Sequence, residues 1–467
     1  MSKYWINIEN ASIAEISPAV RAEINNLLSF AASTWTQGPF KKRTRRGYVK
    51  RIIATIKINN QKVYIIPARL VDMAVSHLEA KKIKPVVTDA SPKRKPLGKP
   101  VLKGITFRKD QITTLIRALT HSNGVIIEPT GTGKTVLAAG IMSSYKIDKG
   151  GPKTLFLAHT KDLIIQAKEE FERFGFKVGV WQGKVMTDGD VIVATRQTAS
   201  KKSYEEMAQF GMLIVDETHH ISAFQGEYYQ LIHKCCNTVA RYGFTATKPT
   251  TEEAKWALDS AIGPIISEKT IIEGNELGIL AKPQINMIIY QGDEYSGIEK
   301  SYAQIYQQYC VKNKQRNRII CDIVSEEIAE NRSCLIFISK LEHGERLQKM
   351  LENRKIESIF VHGASDNEKR NTTKSKIQTK QDLVVICSVI WKEGVSIKSL
   401  NNVILASGGK DEKGVLQAVG RGTRLDKGKT EVTVWDFFDQ YKYLSEHSIG
   451  RARLYKESGW DVELAMK

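Results

Sequence analysis

The chain has no apolar run approaching 18 residues, the length a membrane-crossing helix needs. A helical membrane-spanning architecture is therefore excluded. The opening Met1-Ser-Lys-Tyr-Trp-Ile6 lacks the layout of a secretory signal. The expectation is a soluble, cytoplasmic protein that is not exported. Cysteine is scarce, with six at positions 235, 236, 310, 321, 334 and 387. None forms a Cys-x-x-Cys pair or a metal-ligand spacing, so a disulfide scaffold and a zinc module are excluded. These residues sit mostly in apolar runs and read as reduced core thiols. There is no RGG tract or RNA-recognition signature, and no nuclease-like carboxylate cluster outside the motifs below. Acidic residues are the minority charge, 51 Asp and Glu against 70 Lys and Arg, a formal net of +19.

That excess is concentrated. Residues 1–104 hold 20 Lys and Arg against 6 Asp and Glu, a net of +14. The rest of the 467 residues carries only +5. A basic quarter attached to a near-balanced remainder suggests a nucleic-acid-binding module joined to a machine. The densest stretch is 41–51, with seven basic residues in eleven: Lys41, Lys42, Arg43, Arg45, Arg46, Lys50 and Arg51. Such a run suits phosphate backbones, where Lys and Arg displace counterions without reading bases. A solvated basic surface is the bland alternative. Residues 19–32 look helical, and 52–58 and 62–66 read as a hairpin across Asn59-Asn60. With a helix expected over 71–80, residues 1–90 form a small α+β domain with a basic ridge beside its sheet. Residues 91–104, rich in Pro, Gly and Lys, form a linker.

Strand-helix alternation then begins. Short apolar runs at 124–127, 154–158, 191–194, 212–215 and 240–245 read as strands of a parallel sheet covered on both faces. A second alternation starts near Leu280, with strands at 334–338, 358–361, 383–386, 403–406 and 432–435. The expected division is 105–275 for the first α/β domain and 276–467 for the second.

The first alternation contains Glu128-Pro129-Thr130-Gly131-Thr132-Gly133-Lys134-Thr135 between an apolar strand and an apolar helix. That is the setting of a P-loop. Gly131 and Gly133 let consecutive N–H groups face phosphate oxygens, and the helix N-terminus adds partial positive charge. Lys134 can reach the β- and γ-phosphates, and the Thr135 hydroxyl can bind Mg²⁺. The glycine that usually opens the pattern is Glu128 here. Downstream, Leu213-Ile-Val-Asp216-Glu217-Thr218-His219 is an apolar strand ending in two carboxylates. Ligands gather at such strand ends. Asp216 can hold Mg²⁺ and Glu217 can orient and deprotonate a water. His219 can sense the γ-phosphate or couple to Thr245-Ala-Thr247. In the second half, Arg421 and Arg424 are three apart, hence on one helix face. They are candidate arginine fingers for a nucleotide held between the two layers.

Taken together and in this order, these motifs resemble the superfamily 2 helicases, which carry two RecA-like domains. The likeness covers roughly 105–440. The resemblance assigns Arg108 and Gln111 to adenine recognition and Gln417 to the nucleotide. It assigns Ala158-His-Thr160 and Ala194-Thr195-Arg196-Gln197 to motifs that grip the nucleic-acid backbone. It also matches Ile338-Ser339-Lys340 and Ser388 to Gly394 to motifs IV and V. An Asp common in relatives two residues after that glycine is Ser396 here. The segment 394–400 is similar to the narrower UvsW-type helicases of bacteriophages. That resemblance implies branch migration of forked or Holliday-junction DNA, with single-stranded DNA in the motor groove, ATP and Mg²⁺ as cofactors, and no obligate protein partner. The residues themselves leave a DExH RNA helicase and an ATP-gated nucleic-acid clamp as alternatives.

Overall fold

The computed structural model describes residues 3–6, 10–14, 24, 29–37, 43–51, 54–58, 61–67, 70–83, 86–89, 96, 98–224, 226–235, 237–292, 301–362, 383–388, 400–409, 412–423 and 431–467. Two compact units result: Met1–Glu128 with Lys134–Glu268, and Lys269–Lys467 with the short segment Pro129–Gly133.

The first unit opens with a five-stranded mixed sheet. Its strands are β1 (Lys3–Ile6), β2 (Asn10–Ala14), β5 (Ala54–Ile58), β6 (Gln61–Pro67) and β7 (Val86–Asp89), in the order β5-β6-β2-β1-β7. The β5–β6 hairpin pairs Ile58 with Gln61 across Asn59-Asn60, as the turn chemistry predicts. The helix Val71–Ala80 follows β6. The remaining strands, β3 (Ser29–Gln37) and β4 (Arg43–Arg51), pair only with each other, over nine antiparallel positions. This corrects two expectations. Residues 29–32 are strand rather than helix, and the basic run is itself one strand of a separate ribbon rather than a ridge beside the sheet. Cross-strand pairing with the next strand overrides the weak helical pattern there. Lys41 and Lys42 lie outside the described residues.

The eight-stranded sheet that follows has the order β11-β10-β12-β9-β13-β14-β8-β15. Its members are β8 (Asn123–Ile127), β9 (Thr154–Ala158), β10 (Val178–Gln182), β11 (Val185–Met186), β12 (Val191–Thr195), β13 (Met212–Val215), β14 (Ala240–Thr245) and β15 (Ile265–Glu268). All pairs are parallel except β10–β11. Strands β9 and β12 are buried at every residue, because helices cover both faces of a parallel sheet. Alternation sends Phe156 and Ala158 into one core, and Leu155 and Leu157 into the other.

The second unit holds seven parallel strands in the order β18-β19-β17-β20-β21-β16-β22. They are β16 (Lys282–Ile289), β17 (Cys334–Ile338), β18 (Ser358–Val361), β19 (Val384–Ser388), β20 (Asn402–Leu405), β21 (Glu431–Phe437) and β22 (Asp461–Met466). Two parallel-sheet α/β domains, both of RecA type, are thus present behind a basic N-terminal α+β portion. Five cysteines, at 235, 310, 321, 334 and 387, are buried and form no disulfide with one another, while Cys236 lies outside the described residues. Among the described residues, no helix is long and apolar enough to cross a membrane.

One core-facing charge gives a pH test. Asp259, on the helix Glu252–Ala261, has its pKa pushed up to about 6 by burial, which outweighs the pull of Lys255. The folded state therefore favours the protonated acid. No penalty exists below about pH 4; it builds between about pH 4 and 6 and is fully present above that. Asp259→Asn should stabilise the first unit at pH 8 by up to about 3 kcal/mol, two pKa units' worth. Denaturant titrations at pH 8 and pH 4.5 check this, and the gain should shrink at the lower pH.

Candidate active site

Parallel pairing brings the carboxyl ends of β8, β14, β13, β9 and β12 to one edge of the first sheet. The loop 128–133 leaves β8, and the helix Lys134–Ser144 begins at its end. Gly131 and Gly133 have φ of 94° and 101°, a region that side chains rarely adopt. The Thr132 hydroxyl ties the loop by donating to the Pro129 carbonyl at 2.9 Å. Glu128, the departure from the usual glycine, is fully buried. Its carboxylate accepts from the Thr114 hydroxyl at 3.3 Å, and its N–H donates to the Thr245 carbonyl at 2.9 Å. It therefore serves as a structural anchor between the helix Lys109–Thr120, β8 and β14. Nothing in the sequence pattern pointed to that role.

Lys134 Nζ lies 3.4 Å from the Glu128 carbonyl oxygen and 4.0 Å from Glu217 Oε1. Both contacts are long, so the ammonium is held near the loop without being locked. Glu217 sits just past β13 at φ 52°, a left-handed backbone that costs energy in a non-glycine residue. Its N–H donates to Asp216 Oδ1 at 3.0 Å, which fixes both carboxylates at the strand end. His219 Nδ1 is 3.3 Å from Glu217 Oε2 and 3.3 Å from the Thr245 hydroxyl. The Thr245 hydroxyl in turn accepts from the Thr247 N–H at 3.2 Å. The structure therefore brings Lys134, Asp216, Glu217, His219 and Thr245 together at one sheet edge. Thr135, the second residue of the P-loop helix, is half-buried.

Gln111 is buried, and its side-chain oxygen accepts from the Arg108 N–H at 3.2 Å. Arg108 pairs with Asp110 at 3.0 Å. Thr160 caps the helix Lys161–Arg173, accepting from the Leu163 N–H, and Thr195 caps Arg196–Ala199. Arg196 is tied to Glu227 by an ion pair and lies over the Tyr228 ring at 5.5 Å. Ser339 is exposed at the end of β17. Ser388, the last residue of β19, is 7% exposed, and its hydroxyl has no hydrogen-bond partner among the described residues. Gln417 and Arg421 lie on the helix Glu412–Gly422. Arg424, Ser396 and the rest of motif V lie outside the described residues.

A glycine loop at a strand end, a facing lysine and paired carboxylates can hold a nucleoside triphosphate and hydrolyse it. The positive φ at both loop glycines fits a phosphate cradle, and the Thr135 hydroxyl and Asp216 carboxylate are oxygen donors of the kind that Mg²⁺ prefers. Residues 104–250 match the family described as Type III restriction enzyme, res subunit. Residues 315–426 match the helicase conserved C-terminal domain. The two matches together span more than half the chain, in the order of a helicase motor. The chain belongs to the superfamily 2 helicases and is an ATP-driven enzyme. It is 24% identical over 382 residues to the ATP-dependent DNA helicase UvsW of Enterobacteria phage T4, covering 75% of this chain and 74% of that one. It is 24% identical over 358 residues to the DNA 3'-5' translocase XPB2 of Sulfurisphaera tokodaii, covering 69% and 80%. Among solved structures, the type ISP restriction-modification enzyme LlaBIII bound to DNA superposes with a TM-score of 0.58 at 17% identity, covering 79% and 32%. Dbp5 of S. cerevisiae bound to RNA superposes with a TM-score of 0.54 at 15% identity, covering 77% and 94%. Those two likenesses establish the fold.

Proposed function

We propose that the chain is a DNA helicase that unwinds and branch-migrates forked or Holliday-junction DNA in replication, recombination or repair, working in the host cytoplasm. The observation that carries this reading is the +14 charge of residues 1–104 placed ahead of a complete motor. Similarity to the DNA helicase UvsW supports DNA as the substrate.

In this reading Lys134 and the loop N–H groups neutralise the β- and γ-phosphates. Thr135 and Asp216 hold Mg²⁺, which when bound offsets phosphate charge. Glu217 takes the proton of the attacking water, and His219 keeps its carboxylate in place through the 3.3 Å contact. Arg421 and Arg424 stabilise developing charge, while Gln417, Gln111 and Arg108 position the nucleotide. Thr160, Thr195, Arg196, Ser339 and Ser388 line the single-stranded path. The strand β4 supplies Arg43, Arg45, Arg46, Lys50 and Arg51 to the duplex backbone, together with Lys41 and Lys42.

The test measures ATPase and unwinding side by side on a four-way junction, plain duplex, single-stranded DNA and RNA. Junction unwinding driven by ATP is the expected result. Stronger stimulation by RNA would replace this reading with an RNA helicase, and ATPase that is independent of DNA length would replace it with a clamp. Changing Arg43, Arg45 and Arg46 together to Ala should flatten the salt dependence of junction binding by about three units, roughly one per lost phosphate contact. An unchanged salt slope would remove β4 from the duplex grip.

A further inference from the structure

The same sheet edge carries a stack of rings in which His220 and Tyr228, assigned by no motif, join two residues of known motifs. His159 follows β9, His219 and His220 form the turn after β13, and Tyr228 begins the second position of the helix Glu227–Lys234. The His159 and His220 rings lie face to face, with centroids 3.9 Å apart and planes 14° from parallel. The Tyr228 ring lies 6.1 Å from His220 and 6.3 Å from His159, within 9° and 23° of parallel. His219 touches the other end, 4.3 Å from His220.

The stack connects two groups of residues. At one end His219 contacts Glu217, which faces Lys134. At the other end His159 immediately precedes Thr160, and Tyr228 lies under the Arg196 guanidinium. The sheet order β12-β9-β13-β14-β8 is the spatial order Arg196, His159, His220, Thr245, P-loop. Every link is a packed contact within one unit. Packed rings transmit displacement because they cannot be compressed. Glu217 at φ 52° is held in a strained backbone conformation.

We propose that His220 is a positioning residue that couples occupancy of the Thr160 and Arg196 region by single-stranded nucleic acid to the placement of Glu217. This rests on the strand-contact roles proposed above for Thr160 and Arg196. A strand seated there shifts His159 and Tyr228, and the His220 ring carries that shift to His219 and so to the carboxylate. His220 touches neither nucleotide nor nucleic acid in this scheme. Its contribution is therefore to the stimulated rate and not to binding.

The experiment compares the full-length wild type with His220→Ala, His220→Phe and Tyr228→Leu. Basal ATPase, maximal stimulated ATPase and the half-maximal concentration of poly-dT oligonucleotide are measured for each. Maximal stimulation in His220→Ala should fall at least about fivefold, the lower range of coupling between sites, with basal turnover and half-maximal concentration unchanged. Tyr228→Leu should fall in the same direction. His220→Phe keeps a flat ring and should recover most of the stimulation. Three outcomes overturn the proposal: full stimulation in His220→Ala, a raised half-maximal concentration with an intact maximum, or a Phe variant as impaired as Ala. Failure of the wild type itself to respond to poly-dT would instead count against the DNA motor reading, and is seen before any variant is compared. A folding defect in His220→Ala would show as lost basal turnover, and His220→Phe and Tyr228→Leu then decide.

Discussion

Lys134→Ala should reduce ATP turnover by at least about 100-fold, the scale for removing one preorganised charge from a transition state. The side chain is only 15% exposed, so solvent screens its charge poorly. Its two contacts in the structure, 3.4 Å to the Glu128 carbonyl and 4.0 Å to Glu217, are too long to hold the fold together. Truncation should therefore leave thermal stability nearly unchanged. It should also leave nucleic-acid binding without nucleotide intact, because none of the proposed strand contacts is made by the P-loop or by Lys134. The rate loss should appear in kcat rather than only in KM, since charge accumulates on the phosphate oxygens as the γ-bond breaks. Lys134→Arg is an informative control. Arginine keeps the charge but presents a planar fork in place of a compact ammonium, and a substantial loss is expected there too. Steady-state ATPase with a calorimetric scan measures both halves of the prediction. Turnover within about threefold of wild type would sink the P-loop assignment, because no preorganised charge would then be lost.

Why this site could be read from sequence, and other features could not, has physical causes. The P-loop needs glycines and a lysine at fixed offsets, so local spacing carries it. Strands such as Thr154–Ala158 and Cys334–Ile338 are buried on both faces and therefore appear as plain apolar runs. Val178–Gln182 escapes notice because Gly179 and Gln182 interrupt its apolar character. Asp461–Met466 escapes because it carries charges and is mostly half-buried or exposed. The strand Arg43–Arg51 reads only as a basic run, since its dense charge hides the β character that pairs it with Ser29–Gln37. The stack of His159, His220 and Tyr228 has no sequence spacing at all. Two neighbouring strands and the helix Glu227–Lys234 bring those rings together. The same holds for three fully buried arginines, Arg241, Arg316 and Arg451, whose type normally marks a surface.

Arg451 leads to the second large effect, a loss of stability in the second unit when Asp436 is truncated. The Asp436 carboxylate at the end of β21 is fully buried. It accepts from Arg451 Nε at 2.7 Å, from Arg451 Nη2 at 3.1 Å, from the Tyr455 hydroxyl at 2.7 Å and from the Phe437 N–H at 2.7 Å. Burial alone would lower the Arg451 pKa, but the Asp436 charge reverses that and holds the guanidinium firmly protonated. Burial, with the same carboxylate charge, pushes the Tyr455 hydroxyl far up, so it remains a donor. Asp436→Ala therefore leaves a buried cation without its counter-charge. The expected cost is about 3–5 kcal/mol, the range for removing one partner of a buried pair. Replacing both partners, Asp436→Leu with Arg451→Met, should cost markedly less, because no charge is then stranded. Arg451 also donates to the Gly409 carbonyl at 2.8 Å, on the segment leading to the helix that carries Gln417 and Arg421. The damage should thus spread from the Leu444–Glu457 helix to that segment. Hydrogen exchange followed by mass spectrometry locates it. Faster exchange in β20, β21 and Leu444–Glu457, with the first unit's strands unchanged, is the expected pattern. Equal losses in Asp436→Ala and the double variant would show that the pair acts through shape alone, and that its charge complementarity contributes nothing.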